Sequence, residues 1–436
     1  MKRVVVTGMS LTSPLGSDIN TAFESLQKLE NCVEYNKDLD QYKRLNTRLS
    51  AKTKGFEIPP NYNRKILRTM GPLSVMAVRT AELALEDAGL LGNEIISNGQ
   101  TGVSYGSSSG SLDAIIDFYG MQVDKIVRGL NSGSYVKMMP QTTAVNISLY
   151  FKTIGRLVPC STACTSGSMG IGYAYETIKN GYETVMIAGG GEELHATEIA
   201  IFDTLYATSQ KNDTPKLTPS PFDKNRDGLV IGEGAGTLIL EEYEHAKKRG
   251  AKIYAEIIGF GTNTDGTHIT NPNRKTMGIA LELALKDANL SPDKIGYVNA
   301  HGTATLQGDI AETYATEKVF KRQVPISSTK SYTGHTLGAC GAIEAILSIE
   351  MMNRGWFHPT INLNEIDPEC GDLDYIKGQG REISTDYVMS NNFAFGGINT
   401  SLIFKKIWFI FFIQFFCNQT SRLIKNNRQR AITWYY

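Results

Sequence analysis

Apolar positions along this chain alternate between two periods. Runs of β-branched residues that suit strands are followed by stretches where alanine and leucine recur at helical spacing. Val4 to Thr7 is the first such run, and Gly8 reads as opening a turn that continues through Leu11, Pro14 and Gly16. Thr21 to Leu29 predicts a short helix, and the polar stretch from Asn31 to Pro60 predicts a surface excursion. Met70 to Leu90 predicts a long helix with Ala77, Ala81, Ala84, Leu85 and Ala88 on one side. A strand over Thr101 to Tyr105 leads into the Gly/Ser loop Gly106 to Ser111. That backbone is free to approach a ligand, but it lacks the Gly-Lys-Ser/Thr ending of a phosphate loop. Ile154 to Val158 ends another strand. Ile171 to Asn180 carries Tyr173, Ala174, Thr177 and Ile178 at helical spacing, and Gly181 is placed to stop that helix. Glu183 to Ala188 is an apolar strand closed by Gly189, Gly190 and Gly191. After the turn cluster Pro221 to Gly228 comes the strand Thr237 to Leu240. Asp223, Asn225 and Asp227 have the look of a calcium loop, but the Gly and Glu such a loop requires downstream are displaced.

Two of the helices are alike. Ala81 to Leu90 and Leu281 to Leu290 agree at seven of ten positions, and each precedes a strand, Thr101 to Tyr105 or Ile295 to Asn299. Helices rich in Ala, Leu and Glu match by chance, but the shared helix-then-strand context favours duplication. Each half also closes on a glycine turn and an apolar strand, Gly234 to Leu240 and Gly396 to Phe404. Alternating strands and helices predict an α/β fold. The join falls near Arg249 to Lys252, giving halves 1–250 and 251–406 and a tail 407–436; a chain of 436 residues is long enough for both.

Composition narrows the class without naming it. Apolar residues make up 41 % and charged residues 20 %, as in a soluble globular protein. Acidic and basic residues number 44 each, which gives no sign of a nucleic-acid partner. The six cysteines show no metal-ligand spacing. Met1-Lys2-Arg3 leads straight into the first strand, an apolar run too short for a signal peptide, so the expected compartment is the cytosol with reduced thiols.

Candidate chemistry centres on Val158 to Gly170, which places Cys164 among small residues at a strand-to-helix turn. A thiol there faces unpaired backbone N–H groups and the positive end of a helix dipole, which favour the thiolate and are placed to hold an oxyanion. From this stretch alone, a nucleophile and a small buried filler are equally good readings.

Three later stretches decide between them: Asn299-Ala300-His301-Gly302-Thr303-Ala304-Thr305, Ser328-Thr329-Lys330-Ser331-Tyr332-Thr333-Gly334-His335, and Asn392-Phe393-Ala394-Phe395-Gly396-Gly397-Ile398-Asn399. With Thr162 to Gly167 they resemble, in order, the motifs of the β-ketoacyl-acyl carrier protein synthases, and most closely the synthase I/II branch. The resemblance runs from about Lys2 to about Phe404. It implies the thiolase-like α/β fold, two similar halves stacked as a five-layer αβαβα sandwich. It implies an acyltransferase: a ping-pong decarboxylative Claisen condensation in which Cys164 takes an acyl group from acyl carrier protein and a malonyl-derived carbanion then attacks it. No cofactor is required, because phosphopantetheine arrives on the carrier.

The resemblance assigns roles to particular residues. His301 and His335 stabilise the enolate, with Lys330 against the imidazole and Glu344 paired to Lys330. Phe395 is the gating ring and donates the second oxyanion N–H; Ala394 stands where the family often has glycine. Thr270, Thr303 and Thr305 contact the phosphopantetheine arm, and Phe202 with Ser107 to Ser111 lines the acyl pocket. Arg64, Lys65 and Arg68 form a basic cluster suited to docking an acidic carrier protein, or else a solvated helix end. Asn299, Glu344, Ser390 and Asn391 match a monovalent-cation site of some members. His195, His245, His268 and His358 read as structural or surface residues. The expected assembly is a dimer, of this chain or with a similar one, across the edge strand Glu183 to Ala188.

The competing readings are a non-catalytic chain-length partner, which lacks the cysteine, and a biosynthetic thiolase, which carries a second cysteine near the Phe395 position. Initiating synthases have Asn in place of the second His. Leu240 to Lys252 resembles housekeeping synthase II, whereas His301 to Asp309 and His335 to Gly341 look more like synthases of aryl polyene-type pathways. After Lys406 come the apolar run Ile407 to Cys417 and a basic stretch with Arg422, Lys425, Arg428 and Arg430. Eleven largely apolar residues are too few to span a bilayer. The segment reads as an adventitious extension, with a surface anchor as the second reading.

Overall fold

The computed structural model describes residues 1–407. The expectations for the rest of the tail lie outside the described residues. Met1–Lys406 is one compact unit. No helix among the described residues is long and apolar enough to cross a membrane.

Eleven strands form the main sheet: β1 (Val4–Thr12), β2 (Thr101–Gly106), β3 (Leu157–Cys160), β4 (Val185–Glu192), β5 (Gly234–Glu242), β6 (Ala255–Thr264), β7 (Tyr297–Asn299), β8 (Pro325–Ser327), β9 (Asp374–Tyr375), β10 (Tyr387–Ala394) and β11 (Ile398–Lys405). Their spatial order is β9-β8-β7-β10-β11-β6-β1-β5-β4-β2-β3. The run β3-β2-β4-β5-β1 repeats as β8-β7-β10-β11-β6, with two parallel pairings followed by two antiparallel ones in each. The two runs join where Val4 to Val6 pairs antiparallel with Ala255 to Ile257.

Seven helices matter for the site: α1 (Pro72–Asp87), α2 (Thr142–Phe151), α3 (Ser166–Lys179), α4 (Ala196–Thr204), α5 (Arg274–Asp287), α6 (Leu306–Phe320) and α7 (Cys340–Arg354). α1 and α2 cover one half of the sheet, and α5 and α6 are packed against the other. α3 and α7 lie against each other, and each touches strands of both halves, so they form the middle layer. This mixed α/β architecture is the expected layering. Within Met1–Lys406 the halves are not separate compact bodies, because the middle helices bind both.

The repeated helix segments are α1 and α5, and they do the same work. A Cβ on Gly8 of β1 would stand 2.2 Å from the Ala84 carbonyl oxygen and 2.8 Å from Ala88 Cβ; one on Gly259 of β6 would stand 2.4 Å from the Ala284 oxygen and 3.0 Å from Ala288 Cβ. Asp87 accepts from the Met9 N–H and the Tyr254 hydroxyl, and Asp287 from the Phe260 N–H and the Tyr175 hydroxyl. Gly8 is therefore not a turn residue. It sits inside β1, where the helix comes too close for a side chain.

Two further expectations change. Glu183 to Ala188 is not an edge: β4 is flanked by β2 and β5, and the edge is β3, with Leu157 40 % exposed. The stretch from Asn31 to Pro60 does more than cover the surface, because buried Leu39 and Leu45 pack in the cluster that holds Cys164.

Candidate active site

The nucleophile turn follows from how β3 gives way to α3. A 3-10 turn, Ala163–Thr165, carries the chain from strand to helix, with Ala163 at φ 50°. The turn is bound at both ends: the Thr162 N–H donates to Ser166 Oγ at 2.9 Å, and that hydroxyl donates to the Ala163 carbonyl at 2.6 Å. Cys164 is buried there, 5 % exposed.

The second half brings the imidazoles to it. His301 follows β7, and His335 follows Gly334, whose φ of 63° turns the chain back. His335 Nε2 is 3.0 Å from Cys164 Sγ. The two imidazole rings meet edge to face, with centroids 5.1 Å apart. One atom from each of Cys164, His301 and His335 falls within 4.8 Å of the others. The Leu337 N–H donates to His335 Nδ1 at 3.2 Å. That nitrogen is therefore an acceptor and Nε2 carries the proton aimed at the sulfur.

Lys330, buried at the start of the short helix Lys330–Thr333, pairs with Glu344 of α7 at 2.5 Å. The other Glu344 oxygen accepts from Asn392 at 2.7 Å. Burial opposes the Lys330 charge, but Cys340, Glu344 and Glu312 outweigh it and hold the ammonium above the usual lysine range. Both histidines are held neutral, well below the ordinary imidazole range, by burial and by the Lys330 charge.

The thiol does not behave as its helix-start position predicts. Burial pushes Cys164 up to about 12, against the downward pull of Lys330 and of the Phe395 and Cys164 N–H groups. In so closed a site, desolvation outweighs the dipole. The same two N–H groups are the pair expected to hold an oxyanion.

A cavity of about 430 Å³ leads to this centre. Cys164, His301, His335, Phe395, Phe202, Thr270, Thr303 and Thr305 all line it, as does exposed Tyr206. Phe202 packs on Phe395, ring centroids 5.1 Å apart, and the Thr303 and Thr305 hydroxyls are 2.9 Å apart. Ser107 to Ser111 does not line the cavity. Ser107 donates to the Pro140 carbonyl, and the other serines donate to buried carboxylates, Ser108 to Glu192, Ser109 to Glu198 and Ser111 to Glu193. Arg64, Lys65 and Arg68 are exposed at the helix Arg64–Leu67 and do not line the cavity.

Of the side chains expected at a monovalent-cation site, three lie together: Asn299 bonds both Ser390 Oγ, at 3.5 Å, and the Glu344 carboxylate. Lys330 and Asn392 also bond the Glu344 carboxylate. Asn391 sits between Ser390 and Asn392 on β10, so it faces the opposite side of the sheet.

Sequence reading passed over several groups. Glu312 accepts the His301 and Gly302 N–H groups, each at 2.7 Å, and burial pushes its carboxyl up to about 8. Asp309 accepts the Phe222 and Ala304 N–H groups, and burial raises it to about 6. The available signal was an Asp and a Glu three residues apart, just after the His301 motif. His358, read as structural or surface, is fully buried between Ser327 and Thr329. His268 lines the cavity and accepts from the Thr270 and Asn271 N–H groups.

Known proteins share this sequence and shape. Residues 1–246 match the family model "Beta-ketoacyl synthase, N-terminal domain" and residues 254–364 its C-terminal counterpart. The chain is 38 % identical over 416 residues to 3-oxoacyl-[acyl-carrier-protein] synthase 2 of Vibrio harveyi, covering 93 % of this chain and 99 % of that one. A β-ketoacyl synthase structure from Burkholderia phymatum superposes with a TM-score of 0.92 at 57 % identity, covering 94 % of this chain and 100 % of the other. A type II polyketide ketosynthase, solved with its acyl-carrier protein and bound to a hexaketide, matches at TM-score 0.81 and 30 % identity, over 93 % and 100 %.

Proposed function

Since the chain belongs to the β-ketoacyl synthase family, we propose that Cys164, His301 and His335 carry out its condensation in two half-reactions. The reaction is a decarboxylative Claisen condensation of an acyl thioester with a malonyl thioester, and the chain is an acyltransferase. The observation that carries the assignment of residues is the approach of His335 Nε2 to Cys164 Sγ at 3.0 Å, beside the His301 ring.

In the first half, Cys164 sulfur attacks the acyl thioester of the carrier. The Phe395 and Cys164 N–H groups hold the oxyanion, and His335 Nε2–H together with the Lys330 charge stabilises the attacking sulfur. The acyl group moves to Cys164, and the thiol proton leaves with the freed carrier thiol. In the second half, the malonyl thioester carbonyl accepts from His301 and His335. Carbon dioxide leaves, and the enolate carbon attacks the Cys164 thioester. The new carbon–carbon bond releases Cys164 as a thiolate. Neutral imidazoles suit this step, because they donate hydrogen bonds without being acidic enough to quench the carbanion.

The partner is acyl carrier protein bearing phosphopantetheine. Thr270, Thr303 and Thr305 along the cavity support contact with that arm, and exposed Arg64, Lys65 and Arg68 support docking of an acidic surface. The scheme uses no resident cofactor. Phe202, stacked on Phe395, is the first acyl-pocket residue. The chain length and the pathway, housekeeping fatty acid or aryl polyene, are read by offering acyl primers of graded length.

The test is transfer of acyl groups from carrier protein to Cys164, followed by mass analysis for 3-oxoacyl product. Cys164→Ala is expected to abolish condensation. It should still decarboxylate malonyl carrier protein, and adding His301→Ala should lower that activity by about 10²–10⁴-fold. Condensation by Cys164→Ala would overturn the nucleophile.

A further inference from the structure

We propose that Asn392 is a positioning residue that fixes the tautomer of His301, so that His301 presents Nε2–H to the malonyl carbonyl. The proposal deepens the function assigned above and rests on it. Asn392 is fully buried on β10. Its amide nitrogen lies 2.7 Å from Glu344 Oε2, 3.4 Å from His301 Nδ1 and 3.6 Å from Cys340 Sγ.

The orientation of the amide follows from its partners. Glu344 is a carboxylate paired with Lys330, and a carboxylate only accepts, so the Asn392 atom facing it is the NH₂ group. One N–H is spent there. The second points at His301 Nδ1 and Cys340 Sγ. Nδ1 can take that bond only with its lone pair, so the ring proton sits on Nε2. The His301 backbone N–H is separately engaged by Glu312, so Asn392 is the contact that acts on the ring nitrogen.

Cys340 completes the arrangement. It stands at the first position of α7, and its thiol donates to the Cys164 carbonyl at 3.2 Å. With its proton spent, its sulfur is left to accept from Asn392. One amide thus links the Lys330–Glu344 pair, the His301 ring and, through Cys340, the backbone of the nucleophile. The unpartnered Oδ1 of Asn392 fits the same picture: the group is used for its donors.

The test separates the two half-reactions. In Asn392→Ala, decarboxylation of malonyl carrier protein is expected to fall 10–100-fold, the usual cost of losing a ligand-orienting partner, with acyl loading of Cys164 much less affected. Asn392→Ser, which keeps a donor, should recover part of the loss and covers the case where the alanine variant does not fold. Nitrogen-15 spectra of histidine-labelled enzyme should show His301 as the Nε2–H tautomer in the wild type and lose that signature in Asn392→Ala. Equal losses in both half-reactions, full decarboxylation in Asn392→Ala, or an unchanged His301 signature would overturn the proposal. A wild-type enzyme that never decarboxylates malonyl carrier protein would instead sink the function itself, and the spectra would still read the role of Asn392.

Discussion

At the scale of single residues, the site trades thiol acidity for enclosure. A free cysteine titrates near 8.5, but burial holds Cys164 at about 12. At pH 8 it carries far less thiolate than a free thiol. Alkylation by iodoacetamide should therefore be slow at pH 8 and should keep rising through pH 10, followed by mass spectrometry; a plateau below pH 9 would contradict the burial argument. Cys164, His301, His335, Lys330 and Phe395 were legible in the sequence because each sits inside a dense local motif. Asn392 and Glu312 were not, though both lie in or beside those motifs. Their importance depends on what they meet: Asn392, on a strand, meets Glu344 from helix α7, and Glu312 turns back to cap a loop ten residues earlier.

At the scale of elements, the duplication was legible because α1 and α5 share the same small residues. What the pattern did not show was why they are small. Ala84 and Ala88 face Gly8, and Ala284 and Ala288 face Gly259, so each helix rests on a strand with no side chain between them. Gly259→Ala is expected to destabilise the protein by about 1–3 kcal/mol, since its Cβ would meet the Ala284 carbonyl rather than a movable side chain. Gly8→Ala should behave alike. Thermal melts that leave either variant unchanged would count against this close packing. The edge strand was misread for a related reason. The sheet is mixed, and both stretches read as apolar runs in the sequence. Only the pairing order distinguishes β4 from β3.

At the scale of the whole molecule, β3 leaves an apolar edge, with Leu157 and nearby Ile154 and Tyr182 exposed. The expected solution species is a dimer across that edge, of this chain or with a similar one. Sedimentation should show Leu157→Lys shifted toward monomer, and a stable, active wild-type monomer would refute the assembly. Truncation after Lys406 should keep activity and improve solubility; an inactive but soluble truncated protein would show that the tail serves the reaction. The two middle helices carry a further consequence. Both are entered through a 3-10 turn whose first residue has positive φ, Ala163 before α3 and Leu337 before α7. The next position is Cys164 in one and Gly338, with no side chain, in the other. Sister copies of one ancestral unit would begin with the same equipment at that position. Here one position carries the thiol and the other has no side chain, while its neighbour His335 reaches across to the first. Neither half holds both the thiol and the imidazoles, so either half expressed alone would lack a complete site.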